Sequence, residues 1–309
     1  MPETGAFGLY GTPPSDLADM SAGAIQFSPL IPGARSLEDQ PDGSLSEFVM
    51  LAPPGTVERR YAMAQGLRAL APGAPFTVLA PKDKGGARLA KELKAFGCAI
   101  EPYSKHHHKI CSGYRPEALE GIAQAIEDGA PRFVEDLGLW SQPGIFSWNR
   151  TDPGSAALIG QLPPLEGRGA DFGCGAGLLA KTILGSPKVT QVILLDIDRR
   201  AIEAARRNID DPRARIEWAD VRQPGSLATL CPTALDFIVM NPPFHDGGAE
   251  DRALGQAFIA AAAGTLRKGG SLWLTANRHL PYEAVLRDTF SRVTLKVEEH
   301  GFKVYEARK

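Results

Sequence analysis

Two rhythms of apolar and polar positions succeed one another along this chain, short apolar runs and longer stretches with apolar residues every three to four positions. Before Glu47, Gly, Pro and Ser separate isolated apolar residues such as Ile25, Phe27, Leu30 and Ile31, which predicts loops with one short strand. From Glu47 the run to Leu51 predicts a strand, Val57 to Leu70 a helix, Phe76 to Ala80 a strand and Ala87 to Phe96 a helix. A further helix is expected over Pro116 to Glu127. The second half repeats the plan more clearly. Gly154-Ser155 opens a short helix through Leu162, a strand covers Gly169 to Phe172, and after a Gly-rich turn a helix runs from Gly177 to Leu184. Val192 to Leu195 reads as a strand, and Ile202, Ala205 and Ile209 line one side of the next helix. Strands over Arg215 to Ala219 and Leu235 to Met240 precede a long helix with Leu254, Phe258, Ala261 and Thr265 on one side. Ser271 to Thr275, a helix from Tyr282, and strands Val293 to Val297 and Phe302 to Ala307 around His300-Gly301 close the chain. Alternating strands and helices predict an α/β fold with doubly wound parallel sheets, and the tight final turn predicts an antiparallel pair at one edge. A length of 309 residues suits two domains, divided here into 1-138 and 139-309.

Composition changes the picture in one place. With 43% hydrophobic and 23% charged residues and a net charge of −2, the chain reads as a soluble globular protein. Yet Lys82, Lys84, Arg88, Lys91, Lys94, Lys105, Lys109 and Arg115 face only Asp83, Glu92 and Glu101 between Lys82 and Arg115. Such a basic face could steer a polyanion, although a solvated helix surface gives the same pattern. Cys98, Cys111, Cys174 and Cys231 show no CxxC spacing, as expected of reduced thiols in a cytoplasmic protein. No Lys or Arg precedes Arg35 and no apolar run is long enough to span a bilayer, so neither a secretory signal nor a membrane partner is expected. Lys105-His106-His107-His108-Lys109 invites a metal hypothesis. Adjacent histidines on a strand point to opposite faces and no CxxC pair supports them, so a loop touching phosphates is expected instead, and no metal.

The chemistry concentrates at strand ends. Asn241-Pro242-Pro243-Phe244 follows the apolar run Phe237 to Met240. An amino group on a nucleobase, or a side-chain amide, shares its lone pair with a conjugated system and is a poor nucleophile. If the Asn241 side-chain oxygen and the Pro242 carbonyl hold its two N–H bonds, the lone pair can be aimed at an electrophilic methyl group, and catalysis is mostly positioning. Pro243 keeps Pro242 extended, neither proline carries a competing N–H, and Phe244 can offer a face on which a base stacks. Read alone, the same residues also suit a rigid strand end. Further upstream, Asp171-Phe172-Gly173-Cys174-Gly175-Ala176-Gly177 joins a strand to a helix. Alternate glycines allow close backbone approach, and the helix start presents N–H donors to an anionic group. A dinucleotide fingerprint would need glycine where Leu178 stands. Asp196 ends the next strand, where it can accept from ribose hydroxyls, with Asp198 expected to cap the following helix. Asp220, after the third strand, is placed for an adenine amino group. Asp171, Asp196, Asp220 and Asn241 thus fall in order on the carboxyl edge of one parallel sheet, where ligands bind. His245 and Asp246 are expected to shape the turn rather than to act as a base.

The glycine loop resembles the cofactor loop of class I S-adenosylmethionine-dependent methyltransferases. Residues 144 to 309 more specifically resemble the catalytic domain of the ribosomal RNA small-subunit methyltransferase C family. The carrying segments are Gly144-Ile145-Phe146-Ser147, Asp152-Pro153-Gly154-Ser155, Asp171 to Gly177, Asn241 to Gly247, Ala276-Asn277 with Leu280-Pro281-Tyr282, and Phe302-Lys303-Val304-Tyr305. Ser147-Trp148-Asn149-Arg150 departs from the more acidic, glycine-containing turn expected there. The resemblance implies two tandem Rossmann-like methyltransferase-type domains, the second with a seven-stranded mostly parallel sheet, the first a degenerate copy that binds RNA. It implies S-adenosyl-L-methionine held by Asp171, Gly173, Gly175, Gly177, Asp196 and Asp220, with Asn241, Pro242, Pro243 and Phe244 at a guanine N2 amine of small-subunit ribosomal RNA. Ribosomal RNA or the small subunit is the implied partner of a monomer. A guanine in large-subunit ribosomal RNA, an adenine N6 amine, a protein glutamine amide, or a non-enzymatic RNA-binding assembly role remain the alternatives. The Ala52-Pro53-Pro54-Gly55 turn, read as following the first strand of the first domain, lacks the N–H donors a cofactor carboxylate needs.

Overall fold

A computed structural model describes residues 6–18, 23–243, 245–246, 249–250, 252–280 and 282–309, which divide into two units, Met1–Ala130 and Pro131–Lys309. Phe244, Gly247 and Pro281 lie outside the described residues. The chain enters its first sheet well before Glu47. Strand β1 (Ala6–Tyr10) pairs in parallel with β2 (Ile25–Gln26) and with β3 (Leu45–Leu51). Helix α1 (Thr56–Ala69) leads to β4 (Pro75–Pro81), parallel to β3, and a wide turn over Lys82–Gly86 leads to α2 (Ala87–Ala95). Strands β5 (Ile100–Lys105) and β6 (His108–Tyr114) then form an antiparallel hairpin, followed by α3 (Ile122–Gly129). The sheet order is β2-β1-β3-β4-β6-β5, with β6 antiparallel to β4.

Two expectations need correction here. The Lys105–Lys109 run is a hairpin corner rather than an open loop, with His106 and His107 at φ 45° and 60° as its two central residues. Its first strand is an exposed edge carrying Pro102, so it shows no apolar alternation to read. The helix expected from Pro116 begins only at Ile122, after Gly121 at φ 62°.

In the second unit a small hairpin, β7 (Arg132–Val134) and β8 (Leu139–Ser141), precedes α4 (Pro153–Gln161). Then follow β9 (Gly167–Phe172), α5 (Leu178–Leu184), β10 (Val189–Asp196), α6 (Arg199–Asn208), β11 (Ala214–Trp218), α7 (Pro224–Leu230) and β12 (Leu235–Met240). Two-residue strands β13 (His245–Asp246) and β14 (Ala249–Glu250) lead to α8 (Arg252–Thr265), β15 (Leu266–Asn277), α9 (Tyr282–Thr289), β16 (Arg292–Glu299) and β17 (Phe302–Arg308). The seven-stranded order is β11-β10-β9-β12-β15-β17-β16, and β17 alone runs against the rest. Strands β9 and β12 are neighbours from which the order runs outward both ways, so the crevice at their carboxyl ends is the switch point of the sheet. Helices cover both faces. Leu254, Phe258, Ile259 and Leu286 pack on one side, and Leu158, Leu179, Ile183 and Ile202 on the other.

The first sheet repeats six strands of the second in order and direction, β2-β1-β3-β4-β6-β5 matching β10-β9-β12-β15-β17-β16. One consequence overturns a sequence expectation. Ala52-Pro53-Pro54-Gly55 follows β3, the counterpart of β12, and therefore stands where Asn241-Pro242-Pro243-Phe244 stands, not after the first strand. The register was displaced because β1 is short, contains Gly8 and runs into Gly11-Thr12-Pro13-Pro14, a signature of loop. Helices α1, α2 and α3 share one face of this sheet, through Ala62, Leu67, Leu89, Leu93 and Ala125 on Phe48, Met50, Phe76 and Val78. Among the described residues the opposite face carries Leu17 and Ala18 over Val49, Leu79 and Ile110. Counterparts of α4, α5 and α6 are missing from it among the described residues. All four cysteines are buried and unpaired, and among the described residues no helix is long and apolar enough to cross a membrane.

Candidate active site

The loop after β9 is held to β10 by its own backbone. The N–H groups of Gly173 and Cys174 both donate to the Leu195 carbonyl, at 2.8 and 3.0 Å, and Gly177 donates to Cys174 at 2.9 Å. Gly173, Gly175 and Gly177 have φ of 75°, 53° and 91°, which residues with a Cβ adopt only with strain. Asn208 at the end of α6 fixes the far side. Its Nδ2 donates to the carbonyls of Trp140 and Ala176, both at 2.9 Å, while Oδ1 accepts from the Trp140 N–H at 2.7 Å, so β8 lies beside the loop. An open cleft results, lined by Ser141, Phe146, Arg150, Asp152, Ser155, Gly173, Gly175 and Asn241 among others.

Asp171 lies fully buried, and its carboxyl oxygens have no side-chain partner among the described residues, the backbone N–H of Ala180 in α5 being the one group that favours its charged form. Burial, then the neighbouring Asp196 charge, push it up to about 8. Asp196 accepts from the Gly175 N–H and the Asp198 N–H, each at 2.8 Å, and burial still raises it to about 6. Asp198 caps α6 and is gripped by the Arg200 guanidinium at 2.9 and 2.8 Å. Asp220 is differently placed from the other acids. It follows Ala219, whose N–H donates to the Asp196 carbonyl at 2.9 Å, but both its oxygens are taken by the Arg222 side chain, at 2.8 and 2.9 Å. That pairing holds its carboxyl below the usual range against the opposing effect of burial.

Asn241 sits one residue beyond β12, half-buried, with Pro242 buried and Pro243 exposed behind it. Its Nδ2 donates to Asp152 Oδ2 and to Ser155 Oγ, both at 2.8 Å, and its buried Oδ1 has no partner among the described residues. Asp152 is the N-cap of α4, accepting from the Ser155 N–H at 2.8 Å, with Pro153 in the first turn. This start of α4 is itself wedged by the Phe-Lys-Val-Tyr strand. A Cβ on Gly154 would come within 2.7 Å of the Phe302 ring, so glycine is required for that approach. Lys303 donates to Glu283 at 2.6 Å and the Tyr305 hydroxyl donates to the same oxygen, pinning α9 to the sheet. That strand supports the site rather than entering it.

The structure thus brings Gly173, Gly175 and Asn241 to one cleft, with Asp171 beneath it and Asp196 tied to Gly175. Asp220 stands apart in its ion pair, Gly177 ends the loop at the start of α5, and Phe244 lies outside the described residues. Sequence reasoning missed Ser141, Arg150, Asp152 and Ser155 as cleft residues. A signal existed for two of them, since Asp-Pro-x-Ser is a helix-start pattern, but three-residue strands such as β8 leave none. The residues fit S-adenosylmethionine: the fully buried Asp171 carboxyl, two residues before the first glycine of the loop, has no side-chain partner among the described residues, and a Cβ added at Gly175 would meet nothing within 4 Å.

The turn at the corresponding place in the first unit is closed. Arg59, fully buried, donates through Nη1 to the carbonyls of Pro54 and Pro53 at 2.7 and 3.3 Å, and pairs with Glu92 at 2.7 and 2.8 Å. Gly85 makes room for it, because a Cβ there would lie 2.2 Å from Nη1.

A seven-stranded sheet with one reversed strand, a glycine loop after its first central strand and acids on its carboxyl edge define a class I methyltransferase domain. The model of the "Methyltransferase small domain" family matches residues 136–306. Two curated relatives, both called ribosomal RNA small subunit methyltransferase C, extend the likeness to the whole chain. The Stutzerimonas stutzeri protein is 30% identical over 97% of this chain and 93% of its own, and the Pseudomonas entomophila protein 33% identical over 82% and 76%. Among solved structures, the T. thermophilus 16S rRNA N2 G1207 methyltransferase in complex with AdoMet and guanosine superposes with a TM-score of 0.71 at 23% identity, covering 88% of this chain and 75% of that one. The chain belongs to the ribosomal RNA small-subunit methyltransferase C family.

Proposed function

We propose that the second unit transfers a methyl group from S-adenosylmethionine to the exocyclic N2 amine of a guanine in small-subunit ribosomal RNA. Asn241 carries this reading: its amide nitrogen is tied back by Asp152 and Ser155 while its oxygen is left without a partner beside the glycine loop. That oxygen and the Pro242 carbonyl accept the two N–H bonds of the target amine and turn its lone pair toward the loop, where the cofactor supplies the electrophilic methyl carbon. Gly173, Gly175 and the first turn of α5 receive the amino acid end of the cofactor, Asp171 lies under it, and Asp196 accepts from the ribose hydroxyls. Asp220 supports the adenine side, as one half of its pair with Arg222. Methylation turns the amine into an acidic cation, so no general base is needed and His245 and Asp246 are given no proton-transfer role. The guanine has to be unpaired or extruded for its N2 to enter, which costs a few kcal/mol and favours open elements of the RNA.

The first unit, with no loop of this kind among its described residues, serves in this reading as an RNA grip through the exposed Lys82, Arg88, Lys91 and Lys94. Arg115 is not part of the grip, since it is spent on the carbonyls of Leu67 and Pro116. The enzyme acts as a monomer in the cytoplasm. The test is tritiated methyl transfer into small-subunit rRNA by Asn241→Ala: transfer lost with cofactor binding retained is expected, and undiminished transfer would sink the reading.

A further inference from the structure

The side-chain amide of Asn241 can sit in two orientations, and only one serves the reaction. With Oδ1 toward the cleft it accepts a target N–H. Flipped, it presents Nδ2, a donor facing a donor. Backbone placement by β12 and the two prolines does not distinguish them, since the two ends of an amide have nearly the same shape. Something outside the motif must choose.

We propose that Asp152, helped by Ser155, is the positioning residue that sets this orientation. A carboxylate can only accept hydrogen bonds, so the group facing Asp152 Oδ2 at 2.8 Å must be the Asn241 NH2. The second hydrogen of the same NH2 goes to Ser155 Oγ at 2.8 Å, which uses both donors and leaves Oδ1 buried and without a partner among the described residues. A flip would set Oδ1 against the carboxylate and strip the buried NH2 of both acceptors, so it is strongly disfavoured. Asp152 is itself immobile. The oxygen that holds Asn241 also caps α4 through the Ser155 N–H at 2.8 Å, and Gly154 lets Phe302 pack against that first turn. A helix cap thus doubles as the device that orients the amide, and the Asp-Pro-Gly-Ser run becomes part of the catalytic apparatus rather than of the scaffold alone.

The inference rests on the proposed methyl transfer, and its test separates from the test of that reading. Asp152→Asn keeps an acceptor oxygen for both the cap and the Asn241 NH2. Asp152→Ser keeps a good N-cap but is too short to reach Asn241. Steady-state transfer with the full-length variants, together with S-adenosylmethionine titration and thermal melting, is the experiment. Asp152→Ser is expected to lower kcat about a hundredfold while its cofactor Kd and its Tm stay close to those of Asp152→Asn. Asp152→Asn is expected to keep kcat within a few-fold of the parent, and Ser155→Ala to lose less than Asp152→Ser. Equal kcat for Asp152→Ser and Asp152→Asn, whether both high or both low, overturns the assignment. If the parent transfers methyl groups and Asn241→Ala does not, that result leaves the reading of the site standing while this inference falls.

Discussion

Two Pro-Pro turns in this chain follow corresponding strands of two sheets with the same order and directions, and they are finished in opposite ways. After β12, Asn241 holds an unpartnered acceptor beside a glycine loop. After β3, Ala52 stands in place of the asparagine and the carbonyls of Pro53 and Pro54 are occupied by the buried Arg59, which Glu92 neutralises. Both turns carry a Pro-Pro pair, so the prolines alone do not make a site. What differs is whether the acceptors are consumed from within. The faces beside the turns differ in the same sense: α5 and α6 pack on that face of the second sheet, whereas no helix covers that face of the first among the described residues.

The comparison can be strained hardest at Arg59. Arg59→Ala strands Glu92 as a buried, unpaired charge and is expected to cost about 3–5 kcal/mol of stability in denaturant unfolding, whereas Arg59→Met with Glu92→Leu should come close to neutral. Neither variant should acquire a second site for S-adenosylmethionine in calorimetry, and two sites per chain would show the first unit to be blocked rather than degenerate.

Asp171 gives the opposite kind of effect. Its carboxyl sits at about 8 in the folded chain against an ordinary 3.8, and Asp196 at about 6, so the folded chain holds protons that the unfolded chain has released. Stability of the cofactor-free protein should therefore fall as pH rises from about 4 to about 8 and then level off. Asp171→Asn should remove most of the slope between 6 and 8, raising stability at pH 8 by a few kcal/mol while weakening cofactor binding about tenfold or more. A flat stability profile in the parent would show that Asp171 is not held protonated. For the same reason cofactor affinity should drop as pH is lowered through about 6, where Asp196 gains its proton and becomes a weaker acceptor for the ribose hydroxyls.

A smaller effect probes the first unit's proposed task. Replacing Lys91 and Lys94 by Glu should weaken binding of small-subunit rRNA uniformly across sequences and flatten its salt dependence by about two counterions, with cofactor binding untouched. An unchanged salt slope would place the RNA contacts elsewhere.

How much of this could be read from the chain follows from periodicity. The central strands of the second sheet are buried on both faces and show as apolar runs, so β9, β10, β12 and the acids at the ends of β9 and β10 were legible, as was Asn241. The short hairpin β7 and β8, the seven-residue α7 and the polar edge strand β5 carry too few apolar residues to register. Missing β1 displaced the count of strands in the first unit, which hid the correspondence of its Pro-Pro turn with the one after β12. The pairing of Asp220 with Arg222 was equally hidden, because a strand-end acid reads the same whether its oxygens are free or taken. Asp152 stands in the sequence only as part of the Asp-Pro-Gly-Ser run, and its partnership with Asn241 was not legible, since 89 residues separate the two and the packing of α4 on the sheet, with Phe302 against Gly154, brings them together.

Nucleoside mass spectrometry of small-subunit rRNA from a strain lacking this protein, complemented with the parent or with Asn241→Ala, decides whether the turn after β12 directs methylation of a guanine amine. One N2-methylguanine per small-subunit rRNA should vanish in the deletion, return with the parent and stay absent with Asn241→Ala. An unchanged N2-methylguanine content in the deletion, or its full return with Asn241→Ala, would contradict the account.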